Sequence, residues 1–160
     1  MATSIALQSG AAGALALTAA HESLRRLIPL APRVDLVGMR AIARPMEAFG
    51  AQPPAETRLH RLALIGDLVS NSLYYSLIGA GQAGRPWRRG AILGLAAGAA
   101  AVLLTPALGL GRAEVRRTRT TALMTLGYYL LGGLVAAGTF RALRHRTGEL
   151  SPCRESALDC

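Results

Sequence analysis

GAILGLAAGAAAVLLTPALGLG, residues 90–111, carries no charge, and Thr105 is its one polar side chain. An α-helix rises about 1.5 Å per residue, so about twenty apolar residues match a hydrocarbon core about 30 Å thick. Ala, Leu, Gly and Val occupy every side of such a helix. No polar face remains for water, as each helix of a soluble bundle requires. The stretch therefore reads as a membrane span.

Working outward, three further segments have the same character. Met1–Ala20 and Thr120–Phe140 are uncharged, and Leu62–Gly84 is broken only by Asp67. The expectation is an all-α integral membrane protein, an antiparallel bundle of four transmembrane helices. The spans fall at about 3–27, 58–81, 90–111 and 120–143. Together they make a single domain over residues 1–146, followed by a polar, flexible tail over 147–160. The first span is the weakest, because Gln8 and Ser9 interrupt a run rich in Ala and Gly.

The connections support this division. Pro29 and Pro32 stop the first helix. Leu36, Met39 and Ala43 recur at helical spacing among Arg33, Arg40 and Arg44, which predicts a short amphipathic interfacial helix over 33–44. Pro45 should end or kink it, and Gly50–Ala55 is a loop by composition. The short connection Gln82–Arg89 predicts a hairpin of the second and third spans, with Trp87 and its arginines as an interfacial anchor. Thr105-Pro106 should kink the far end of the third span.

All 18 basic residues are Arg, against nine acids, for a net charge of +9. The arginines cluster at helix ends, where they meet anionic headgroups. They are not interleaved with aromatics, so nucleic acid is not an expected partner. Eleven Arg fall on the side of the 1–2 and 3–4 connections and seven on the other. That asymmetry favours the first side as cytoplasmic and both termini outside, in a bacterial plasma membrane. The basic exit through Arg141, Arg144 and Arg146 pulls the other way. Cys153 and Cys160 are not spaced as CxxC and have no His cluster beside them, which argues against zinc or redox chemistry. No cofactor is expected, and GxSxG, HExxH and P-loop motifs are all missing.

Two features remain. Gly90, Gly94 and Gly98 lie on one face of the third span, where a neighbouring backbone can approach closely. Small residues recur in the other spans too, as in Ser9/Gly13, Ser72/Ser76 and Gly133/Ala137. The second feature is Asp67, the only acid inside a span, about 8 Å deep by helix rise. A carboxylate there must be paired, hydrated or neutralised. Asn71, Tyr74 and Tyr75 follow on its face. His21, Glu22, Arg25 and Arg26 end the first span on the same side of the membrane. The expected arrangement is an ion pair of Asp67 with Arg25 or Arg26; the alternatives are an ion or proton path, with Asp67 and His21 titrating and Asn71 and Tyr74 coordinating or relaying, and a substrate or lipid pocket. His21 and Glu22 are adjacent and face different ways, so a metal site is not expected, and His60 and His145 read as solvated.

Two functional classes follow. One is a structural, assembly or accessory subunit, packing through the glycine face as a homo-oligomer or in a larger membrane complex. The other is a small transporter or channel built on the Asp67 stripe. Membrane lipids are partners in both. The pair Tyr74-Tyr75 is echoed by Tyr128-Tyr129 in the fourth span, the pattern that two duplicated hairpins would leave.

Overall fold

Proline and glycine set the ends of the helices, and the apolar stretches fill them. The computed structural model describes residues 2–80, 85–111 and 113–147, and every secondary-structure element among them is helical. The chain forms α1 (Ala2–Leu27), α2 (Val34–Ala48), α3 (Glu56–Ser76) with a 3-10 turn over Leu77–Gly79, α4 (Pro86–Ala107), α5 (Ala113–Arg116) and α6 (Arg119–Arg146). Pro86 opens α4 in its first turn, where a missing N–H costs no helical bond. Gly109, at φ +69°, closes it: Leu110 N–H reaches Thr105 O at 3.0 Å and Gly109 N–H reaches Pro106 O at 3.0 Å. This is a Schellman turn, which needs a left-handed residue and so favours glycine. Gly50, at φ +74°, closes α2 in the same way through Ala51 and Met46. Thr118 caps α6, its hydroxyl oxygen accepting from Thr121 N–H at 3.1 Å.

Pro45 neither ends nor bounds α2, which continues to Ala48. The proline falls in the last turn, where it removes a single backbone bond. Pro106 likewise sits one residue from the end of α4 and marks its stop rather than a bend within it.

Two helices, α4 and α6, are long and apolar enough to cross a membrane. The other two long helices fall short of that measure for compositional reasons. The first half of α3 contains Glu56, Arg58 and Arg61, with Asp67 just past its middle, and the uncharged part of α1 is diluted by Thr3, Ser4, Gln8, Ser9 and its glycines. The tail beyond Thr147, with Cys153 and Cys160, and most of the connection before α4 lie outside the described residues.

The packing order differs from a simple hairpin succession. α1 lies against both α3 and α6, and α4 lies against α6. The expected hairpin of α3 with α4 is replaced by two pairs, α1–α3 and α4–α6, each joined through a shorter helix. Small residues decide which faces meet. A Cβ added at Gly94 would come within 2.7 Å of Leu130 Cα, and one at Gly98 within 3.0 Å of Leu126 Cα. One at Gly90 would strike the carbonyl of Gly133. The glycine face of α4 is thus used up against α6 inside the fold. Gly10 stands in the same relation to Ser72 and Ser76 of α3, and Gly13 to Gly132 and Ala136 of α6. α1 is therefore gripped on both sides by close contact with the backbones of its neighbours.

The first part of α3 exposes Glu56, Thr57, Arg58 and Arg61, and beyond them its outside is apolar. From position 62 to 77 its exposed residues are Leu62, Ile65, Gly66, Val69, Ser70, Leu73 and Leu77. Ile65, Val69 and Leu73 are 59 %, 53 % and 58 % exposed, whereas Asn71 and Tyr75 are buried. Ser70, the one polar residue in that row, returns its hydroxyl to Asp67 O at 3.1 Å.

Candidate functional site

The polar residues singled out in the sequence gather at the end of the bundle capped by α2. Asp67 lies on α3 one turn before Asn71, whose side-chain amide donates to Asp67 Oδ1 at 2.9 Å and to Asp67 O at 2.9 Å. Both residues therefore serve one local network. The anticipated ion pair of Asp67 with Arg25 or Arg26 is not formed: among the described residues no arginine lies within ion-pair distance of Asp67.

Those arginines are engaged elsewhere. Arg25 holds Glu22 with two hydrogen bonds, Nε to Oε1 at 2.8 Å and Nη2 to Oε2 at 2.6 Å. Its Nη1 stands 3.6 Å from Asp35 Oδ2. Arg26, 73 % exposed, reaches Glu22 at 3.7 Å from the outside. Asp35 is the residue that sequence reasoning missed. Its side chain is 3 % exposed, and Arg33 grips it in a fork, Nε to Oδ1 at 3.0 Å and Nη2 to Oδ2 at 2.9 Å. Burial raises the Asp35 carboxyl pKa, but the Arg33 hydrogen bonds and the charges of Arg33 and Arg25 prevail and hold it below the usual carboxylate value. One signal in the sequence could have found it: an acid in the first turn of a helix, two residues after an arginine.

His21 is buried and tied to the α1–α2 connection. Its Nε2 lies 3.0 Å from Pro32 O and 3.3 Å from Val34 N. Nδ1 faces Glu22 Oε1 at 3.8 Å. The ring meets Tyr128 edge-on, with centroids 6.3 Å apart.

A cavity of about 140 Å³ lies between these groups. His21 of α1, Asp67 of α3 and Tyr129 of α6 contribute to its wall, and α2 covers it with Val34, Asp35, Val37 and Gly38. Ala63 and Leu64 complete the lining. The volume admits several water molecules. α2 is held over it by the Arg33–Asp35–Arg25 bridge and, from the middle of the helix, by Arg40, which pairs with Glu114 at 2.5 Å and donates to Leu110 O at 2.9 Å.

Tyr74 and Tyr75, expected on the Asp67 stripe, stand away from the cavity and act as struts. The Tyr74 hydroxyl donates to Leu93 O of α4 at 2.9 Å, and that of Tyr75 donates to Tyr129 O of α6 at 2.7 Å. They bond the α1–α3 pair to the α4–α6 pair through backbone carbonyls. Among the described residues no group of three His, Cys, Asp or Glu is placed to hold a metal ion.

No family model matches this chain, and no curated protein and no solved structure is found to be similar to it.

Proposed function

We propose that this chain is a four-span integral membrane protein that passes a proton or small cation through the chamber at Asp67. The observation that carries the reading is the environment of that carboxylate. Asp67 faces a cavity, an amide is its side-chain partner, and among the described residues no arginine pairs with it. A carboxylate among apolar helices has three remedies: a counter-ion, water or neutralisation. The first is withdrawn here, because Arg25 serves Glu22 and Asp35. Water and neutralisation, by a proton or a bound cation, remain, and the cavity offers space for both.

The proposal that α1 and α3 cross the membrane with α4 and α6 rests on the distribution of side chains around α3. That helix turns Asn71 and Tyr75 inward and Ile65, Val69 and Leu73 outward. Water would penalise such an arrangement, and hydrocarbon suits it.

The structural or accessory reading relied on the Gly90, Gly94 and Gly98 face as a surface for partners. That face is occupied by α6, so the reading loses its motivating feature.

The test is flux. The purified chain, reconstituted in vesicles with an internal pH-sensitive dye, should dissipate an imposed proton gradient. Asp67→Asn should keep its melting temperature within a few degrees and lose the flux. Equal gradient decay with the wild type, the variant and empty vesicles would refute the reading.

A further inference from the structure

We infer that the Asp67 chamber is built for a small organic monocation, a primary or methylated ammonium, rather than for a metal ion. The inference rests on the cation-handling reading above and names its ligand class. Charge comes first. Two carboxylates reach the cavity, but Arg33, at 2.9 Å, and Arg25, at 3.6 Å, already neutralise Asp35. Among the described residues no arginine pairs with Asp67, so its carboxylate offers a place for one positive charge on a ligand.

The remaining wall decides what kind of cation fits. A bare metal ion needs several oxygen ligands to replace its hydration shell. Beyond the carboxylates, the lining here is Val34, Val37, Ala63 and Leu64, with Gly38 and Tyr129. His21 does not make up the shortfall, because its Nε2 is held between Pro32 O and Val34 N. Among the described residues there is no metal-ligating group of three. An alkylammonium has the opposite needs. Its N–H groups can be met by the Asp67 carboxylate and by waters in the chamber, and its methyl groups require the apolar contact that the valine–alanine–leucine wall provides. Tyr129 adds an aromatic group, the kind of side chain that favours organic cations. Size sets the limit: about 140 Å³ is well under the 300–1,000 Å³ typical of drug-sized sites, so the ligand is no larger than a few heavy atoms.

The experiment is thermal unfolding of the full chain in detergent at matched ionic strength. Methylammonium chloride, sodium chloride and tetraethylammonium chloride are titrated in turn. Methylammonium should raise the melting temperature saturably, and the other two salts should not. The shift should vanish in Asp67→Asn. Val37→Phe, which keeps the carboxylate and fills the cavity, should abolish it as well, so the result does not depend on one variant folding. Equal shifts with methylammonium and sodium, or a methylammonium shift that survives in both variants, would overturn the inference. Proton flux without any methylammonium shift would sink this ligand class and leave the cation-handling reading standing. A wild-type chain with no flux above that of Asp67→Asn would sink that reading itself.

Discussion

Asn71 donates its side-chain amide to Asp67 Oδ1 at 2.9 Å, one helical turn away, and this neutral group stands where a guanidinium was expected. An amide satisfies one lone pair of the carboxylate but does not cancel its charge. Asp67 and Arg25 should therefore be energetically independent. In a double-mutant cycle on stability, Asp67→Asn and Arg25→Gln should add within about 0.5 kcal/mol. Arg25→Gln and Glu22→Gln should couple strongly, because those two side chains share a fork. Coupling between Asp67 and Arg25 above that limit would restore the ion pair.

The seam of α4 with α6 gives a second expectation. Gly94→Leu places side-chain atoms where Leu130 Cα lies 2.7 Å from the first added carbon. Backbone is in the way, so the helices must part, at a cost of about 1–3 kcal/mol. Ala96→Leu, on the exposed side of α4, should be close to neutral. Melting temperatures of the two variants in detergent check this, and equal tolerance would mean that the seam does not form.

Acid sensitivity should trace to Asp35. Its pKa is depressed from 3.8 in the folded chain, so the unfolded chain binds its proton first as pH falls. The stabilisation is complete above the ordinary carboxylate value and is lost as pH drops through the lower folded value. Asp35→Asn should lower stability near neutral pH and flatten the decline below pH 3.8. A variant whose acid limb is as steep as that of the wild type would show that another carboxylate controls it.

Much of the fold was legible because helix boundaries depend on local chemistry. Apolar run length, with Pro29 and Pro32 as stops, places α1, α4 and α6 to within a few residues, although α4 begins at Pro86 rather than at Gly90 and ends at Ala107 rather than Gly111. Partner choice was harder to read. Chain proximity suggested that α3 pairs with α4, whereas backbone contact at Gly10 and Gly13 draws α1 between α3 and α6. The site was half legible. Asp67, Asn71 and His21 were visible as polar residues in apolar surroundings. Asp35 and Tyr129 were not, because the first looked like part of an interfacial amphipathic helix and the second like half of an echo of Tyr74-Tyr75. Only the fold of α2 back over α3 brings Asp35 to the cavity. Arg25 was visible but assigned to the wrong acid, since an acid on another helix had not been counted as its competitor.

Everything proposed for Asp67 requires α3 to lie within the membrane alongside α4 and α6. Single-cysteine labelling with a membrane-impermeant reagent, with Cys153 and Cys160 replaced by serine, tests this most directly. Cysteines introduced at Ala51 and Arg117 should be modified from one side of the membrane, and those at Ala80 and Thr147 from the other. If α4 and α6 alone cross, Ala51 and Ala80 will be labelled from the same side, and that result would contradict the four-span chamber.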